Sequence, residues 1–414
     1  MFFNFSEFLL KKAELAEEMC SAAFKRFDET ARHNGEKVLK AFIDNRVSER
    51  HLCSATGYGY GDEGRDVLDE VFAEAFGAEK ALVRHNFVNG THAVTTALFG
   101  VLRMGDRLIS ATGEPYDTLK GVMKGDSGGS LREYGIEYAE VKPLSDGSPD
   151  LKAVRRYAED CEAVFIQRSR GYGLRPSVTV EKIGAIVKTV REVNPNAVVI
   201  TDNCYGEFCE KTEPLSVGAD LIVGSLIKNP GGGIAETGGY IAGKSDLVEL
   251  CAYRLTAPGI GAKAGCSLNQ NRSMYAGLFR APETVAAALK TSAFALALMK
   301  LLGYECVPDY DEYRTDITSA VKLGGERELR AFCEGIQAGS PVDSHATPQP
   351  WDMPGYQNKI IMASGAFNPG SSIELSADAP LREPWAVWLQ GGLTFAAGRI
   401  GVMTAAQRLL SLKN

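Results

Sequence analysis

Histidine and tryptophan are scarce in this chain, five and three among 414 residues, and the nine cysteines form none of the close pairs that hold zinc. A metal site is therefore not expected, and an odd number of scattered thiols points to reduced core filler rather than a disulfide framework. An excess of basic charge is also missing. With 45 Lys and Arg against 52 Asp and Glu, a net charge of −7 and a pI near 5.5, the chain offers nucleic acid or an anionic membrane little attraction. No continuous apolar run reaches membrane-spanning length. The opening Met1-Phe2-Phe3-Asn4, followed by Lys11 and Lys12, lacks the basic start, apolar core and cleavage site of a secretory signal. Tandem repeats and low-complexity tracts are absent too, which excludes solenoids and disordered tails. The expectation is a cytoplasmic globular protein, long enough for one large and one smaller domain, whose partner is a small molecule.

What is present is organised around Lys228. The run Leu221-Ile222-Val223 reads as a buried strand that delivers Ser225 and Lys228 into the glycine-rich turn Asn229-Pro230-Gly231-Gly232-Gly233. In a desolvated pocket a lysine amine is lowered in pKa and can form a Schiff base with an aldehyde cofactor, for which pyridoxal phosphate is the candidate. The plainer reading of the same window is a lysine that snorkels from a strand end into water.

Other strand ends add to the first reading. Asn89-Gly90-Thr91 opens a helix after the strand Ala81–Arg84, and its small residues leave backbone N–H groups bare where the helix dipole favours a phosphate; an ordinary capped helix reads the same way. Tyr116, in the loop after the strand Arg107–Ser110, is placed to stack on a flat ring or to serve as a structural tyrosine. The strand Ala163–Ile166 runs into Gln167-Arg168-Ser169-Arg170-Gly171-Tyr172, where Arg168 or Arg170 can meet a carboxylate. Asp202 directly follows the apolar strand Ala197–Thr201 and is placed to hold a pyridine nitrogen protonated. Cys204 and Cys209 flank it, so one reactive thiol is a further possibility.

Residues 5–45 read as two amphipathic helices, and Ala281-Pro282-Glu283 as a helix start that runs on through Leu301. A glycine-rich excursion covers Gly125–Gly129. Residues 303–357 look loop-rich, with strands near 359–362 and 372–375 and a last helix near 391–410. Two motif matches are set aside. Gly59–Gly64 spells a dinucleotide fingerprint but follows polar sequence instead of a strand, and Gly238–Ser245 spells a P-loop whose middle, Tyr240-Ile241-Ala242, reads as strand. An NTPase built on the second match is the competing class.

The order of these parts resembles the fold-type I pyridoxal-phosphate enzymes of the Cys/Met-metabolism group. The phrases Ile166–Tyr172, Gly224–Gly233 and Gly277–Pro282 are similar to the methionine γ-lyase-like family often called aluminium resistance proteins. That resemblance implies an α/β fold with a mainly parallel seven-stranded sheet flanked by helices and a smaller α+β C-terminal domain. The expected division is a helical segment 1–55, a large domain 56–290 and a small domain 291–414. It further implies a carbon–sulfur lyase acting on a sulfur amino acid such as methionine, cystathionine or cysteine, with an aldolase or aminotransferase as alternatives on the same core. Lys228 would carry the cofactor, Asp202 pair with its ring nitrogen, Tyr116 stack on the ring and activate the leaving group, and Gly90, Thr91 and Ser225 hold the phosphate. Tyr58 would reach the phosphate of a neighbouring subunit in a homodimer or homotetramer with shared sites. The group's arginine two residues later is Tyr60 here, and Arg65 is its substitute. Arg399 is the match for the late arginine that binds the substrate carboxylate.

Overall fold

The computed structural model describes residues 2–125, 128–353, 356 and 358–412, so part of the Gly125–Gly129 excursion lies outside the described residues. The chain opens with a single helix, α1 (Glu7–Asp44), capped by Ser6, whose side chain accepts from the backbone N–H of Leu9. Two amphipathic helices were expected over residues 5–45, and one is found. The helix runs through Asn34 and Gly35 because Asn34 faces inward and its amide donates to the carbonyls of Phe208 (3.1 Å) and Glu210 (2.9 Å). The buried amide nitrogen is thus satisfied without breaking the helix, while Oδ1 finds no partner among the described residues.

The large sheet follows in chain order: α2 (Glu63–Phe76), β1 (Lys80–Arg84), α3 (Gly90–Val101), β2 (Arg107–Ser110), α4 (Asp117–Lys124), β3 (Glu137–Glu140), α5 (Leu151–Ala158), β4 (Ala163–Gln167), α6 (Val180–Val193), β5 (Val198–Asp202), β6 (Leu221–Ser225), β7 (Gly239–Gly243) and α7 (Ser245–Leu255). Its seven strands lie in the order β1-β7-β6-β5-β4-β2-β3, with β7 antiparallel to both neighbours. β4, β5, β6 and β7 are buried at nearly every position, as strands covered on both faces by helices must be. The P-loop match is strand β7, and its Lys244 is paired with Asp220 at 2.7 Å, so no phosphate-wrapping turn exists there.

The second half contains α8 (Asn271–Leu301), β8 (Glu305–Val307), β9 (Ser319–Lys322), α9 (Glu326–Ala338), β10 (Ile360–Ser364), β11 (Ser376–Pro380), β12 (Ala386–Gln390) and α10 (Phe395–Ser411). The five strands form an antiparallel sheet in the order β10-β11-β12-β9-β8. The segment expected to be loop-rich therefore holds two strands and a helix. β11 starts just beyond the stretch expected to be strand. α8 begins ten residues before Ala281, where the helix was expected to start, and Pro282 sits inside it. By length and composition α8 is also apolar enough to cross a membrane, but 78% of its most apolar window is buried inside the protein. One continuous core joins α1, α8 and the inner face of the five-stranded sheet.

The turn after Lys228 meets α8 backbone to backbone. A Cβ on Gly277 would lie 2.4 Å from the carbonyl oxygen of Gly231, and one on Gly232 would lie 2.3 Å from the carbonyl of Gly277. Gly277→Ala should therefore cost about 1–3 kcal/mol in urea unfolding. Gly35→Ala, in α1 with nothing within 4 Å of the added carbon, should instead add about 0.5–1 kcal/mol.

Candidate active site

Parallel register sets the site. Gln167 at the end of β4 pairs with Asp202 at the end of β5, which pairs with Val223 on β6, so the segments that follow all leave the same sheet edge. Ligands bind at this carboxyl edge in open α/β sheets. Here it opens into a cavity of about 740 Å³. Lys228 follows β6 by three residues and is half-buried, its Nζ 4.0 Å from the centroid of the Tyr205 ring. Pro230 and the amide of Asn229, which donates to the Glu207 carbonyl at 2.9 Å, fix the turn behind it.

The N-terminus of α3 comes to the same place. Asn89 caps it, its side chain accepting from the His92 N–H at 2.8 Å. A Cβ on Gly90 would meet Cys204 Sγ at 3.3 Å and Ser225 Cβ at 3.4 Å, and would stand 3.8 Å from Lys228 Nζ. Thr91 Oγ1 lies 3.3 Å from the Tyr116 hydroxyl and 3.0 Å from Thr118 Oγ1. Gln167 accepts from the Tyr116 N–H at 2.9 Å, which ties the tyrosine loop to β4.

Charge in this space is unevenly balanced. Burial raises the Asp202 carboxyl above its usual range, opposed by Lys228 and by the Cys204 N–H, which donates to its Oδ1 at 3.1 Å. Burial, then Asp202, pushes the Tyr116 hydroxyl and the Cys204 thiol well up, so both stay protonated; a reactive thiolate at Cys204 is not what this environment makes. For Lys228, burial favours the neutral amine, while Cys204, Tyr205, Asp202 and Tyr116 act the other way and the net direction is upward; with the thiol and the Tyr116 hydroxyl protonated, the Asp202 carboxylate is the charge that opposes burial. The lowered lysine expected from desolvation alone is not found.

Gly90, Thr91, Tyr116 and Arg170 thus line one cavity with Asp202, Ser225 and Lys228. Arg170 is buried, and its Nε and one terminal nitrogen have no hydrogen-bond partner among the described residues. Three other arginines lie elsewhere. Arg168 is fully buried away from the cavity, bonded to Glu210 (2.9 Å), Glu213 (3.3 Å) and Asn203 (2.6 Å). Arg399 is held on α10 by Glu17 and lies over the Phe294 ring, outside the cavity lining. Neither is free to take a substrate carboxylate. Arg65 is buried as a clamp, donating to the carbonyls of Gly59 and Gly265 at 2.8 Å and to Asp66, so it cannot replace a phosphate-binding arginine on an arm. Tyr58 and Tyr60 are exposed, stacked on each other with centroids 5.7 Å apart, and take no part in this chain's own cavity. Gly59 has positive φ and touches Cys266, which confirms an irregular arm instead of a dinucleotide turn.

Tyr205, Tyr172, Tyr356, Asp378 and Gln390 also line the cavity and went unnoticed in the sequence as site residues. Tyr205 had a signal, two residues past Asn203 in the loop after the strand-terminal aspartate. Asp378 and Gln390 had none, because their strands reach the site only through the packing of the second sheet.

The sequence profile of the family described as methionine gamma-lyase matches residues 9–410. The chain belongs to this family. The protein YnbB of Bacillus subtilis (strain 168) is 44% identical over 408 residues, 98% of this chain and 97% of that one. A carbon-sulfur lyase involved in aluminum resistance from Clostridium novyi NT superposes with a TM-score of 0.94 at 48% identity, covering 97% of this chain and 96% of that one. A Clostridium acetobutylicum protein involved in aluminum resistance gives 0.95 at 48% identity, over 98% and 96%. As a member of the family the chain is a lyase that uses pyridoxal phosphate.

Arg168→Met separates scaffold from substrate binding. It leaves Glu210 and Glu213 buried without their cation and should cost about 3–5 kcal/mol in urea unfolding, while the folded fraction keeps the wild-type KM.

Proposed function

We propose that the chain cleaves the carbon–sulfur bond of a sulfur amino acid, with Lys228 as the base and Asp202 opposite the cofactor's ring nitrogen. The single observation behind this reading is the convergence of the Lys228 amine, the buried Asp202 carboxylate and the Gly90–Thr91 helix N-terminus on one cavity. These residues fit pyridoxal phosphate. Bare N–H groups at the start of α3, the space beside Gly90 that a Cβ would take, and the Ser225 hydroxyl suit the phosphate. When bound, the cofactor supplies an aldehyde for amines and a ring that stabilises negative charge at the substrate α-carbon.

The chain's own residues do the rest. A pocket that favours the Lys228 ammonium makes its neutral amine a strong proton acceptor, and Lys228 Nζ takes the α-proton. Tyr116 stays protonated and is oriented by Thr91, so its hydroxyl gives a proton to the departing sulfur. Arg170, with its unpaired guanidinium nitrogens, holds the substrate carboxylate. With one water consumed from solvent, thiol, ammonia and a 2-keto acid are the products, whether elimination is at the β or the γ carbon.

Incubation of the loaded enzyme with methionine, cystathionine, cysteine and threonine should yield keto acid and thiol from a sulfur substrate. Aldehyde without either would overturn the lyase assignment. Lys228→Ala should lose both turnover and the yellow absorbance that borohydride removes.

The assembly we propose is a dimer or tetramer with shared sites. Its support is the exposed pair Tyr58 and Tyr60 on an arm clamped by Arg65 from behind, two large rings with no partner surface of their own besides each other. Mixing inactive Lys228→Ala subunits with Tyr58→Ala/Tyr60→Ala subunits should restore some activity; verified mixed dimers without activity would dismiss sharing. A reducing, cytoplasmic setting is in keeping with nine free cysteines.

A further inference from the structure

Tyr205 stands in a conformation that its residue type avoids. Its φ of 71° lies in the left-handed region, where a bulky side chain is strained and persists only if its surroundings over-determine it. Here they do. Its carbonyl accepts the Ile317 N–H at 3.1 Å, and its hydroxyl lies 3.3 Å from Ser372 Oγ. What the strain achieves is the aim of the ring, which lines the cavity with its face toward Lys228 Nζ, 4.0 Å from the centroid. Among the described residues the amine makes no hydrogen bond and no salt bridge. One loop fixes both members of this contact. Ser372 meets the ring, and the neighbouring Ser371 donates from its hydroxyl to the carbonyl of Ile227 at 3.0 Å, immediately before Lys228. Both serines precede β11 of the second sheet, while the lysine and the tyrosine leave the first.

The negative face of an aromatic ring attracts a cation and does little for a neutral amine. The contact therefore strengthens as Nζ gains charge, which is what happens when Lys228 takes the proton from the substrate α-carbon. Interactions that grow along the reaction in this way are the ones that speed a chemical step. Resting on the reading of Lys228 as the base, we propose that the ring face of Tyr205 is the seat of the Lys228 amine and stabilises its ammonium form as the proton arrives. Tyr205 thus sets the strength of the base, and the two serines of the second half hold Tyr205 and Lys228 in reach of each other. Other groups act on the same amine: Asp202 and Cys204 at the end of β5, Tyr116 before α4, Glu207, and Asp378 on β11. The ring has to be altered while these stay in place.

Ring fluorination does this, because it drains negative charge from the face at almost constant size. Tyr205→Phe is the reference, compared as loaded enzyme with 4-fluoro, 3,5-difluoro and 3,4,5-trifluorophenylalanine at the same position. Saturation with α-methyl-L-methionine, which has no α-proton to lose, occupies the aldehyde and leaves the Lys228 amine free. Its acetylation by acetic anhydride at fixed pH is then read by peptide mass spectrometry. Only the neutral amine reacts, so labelling should rise with each fluorine, by roughly 5- to 30-fold over the series. In turnover, the acid limb of the kcat pH profile should move about one pH unit lower, because a weaker seat releases the proton from Lys228 at lower pH. KM should change less than about threefold. Tyr205→Leu, which has no ring face, should behave like the trifluoro form and serves if the fluorinated chains do not fold. Labelling that ignores the fluorines, or that is the same in Tyr205→Leu and Tyr205→Phe, overturns the proposal. Labelling that follows the fluorines while the acid limb stays still keeps the seat and removes Lys228 as the base. If no sulfur amino acid yields thiol and keto acid, the lyase assignment alone fails, and the labelling series still decides the seat.

Discussion

A lysine and an aspartate that share one cavity must answer for each other's charge, and that constraint orders the structure around them. Burial drives Asp202 toward its neutral acid and Lys228 toward its neutral amine, and each opposes that drive on the other. They meet only because β5 and β6 are parallel and adjacent, so that both strands release their chains on one side. The turn that presents Lys228 is held from behind by Asn229 and by the contact of Gly231 and Gly232 with Gly277. Looser packing there would let the amine swing out to water, where it would be an ordinary lysine.

The same burial logic explains why one arginine of the Gln167–Tyr172 segment is part of the scaffold and the other lines the cavity. Arg168 enters the protein between Glu210 and Glu213 and is matched on both sides. Arg170, two residues on, lines the cavity, with its Nε and one terminal nitrogen buried and without a hydrogen-bond partner among the described residues. Residues two apart in an extended strand share a face, so it is the irregular turn of the chain past the end of β4 that separates them, and residue type alone cannot.

What was legible in the sequence was local. Lys228, Asp202, Tyr116 and Gly90 each follow a strand or open a helix, and strand ends on a parallel sheet share an edge, so periodicity and turn residues sufficed to gather them. Readings that depended on distant partners went astray. The inward turn of Asn34 is decided by carbonyls some 175 residues away, at separations of 174 and 176, which hid the continuity of α1. Arg399 and Arg65 were chosen by position in the chain, yet Glu17 and the Gly59 and Gly265 carbonyls had already engaged them. Asp378 sits in a short strand of alternating small residues with nothing nearby to mark it.

α8 touches the Lys228 turn at Gly277 and reaches β9 through Ser292, whose hydroxyl donates to Ser319 at 3.0 Å. Fifteen residues, about 22 Å of helix at 1.5 Å per residue, separate the two contacts. This rod is a ruler laid between the edge that does chemistry and the sheet that carries Asp378. The length of molecule that can span from one to the other is written into a helix that touches neither the reacting bond nor the leaving group. A change in its bend would therefore alter which chain length fits before it altered how fast a fitted bond breaks.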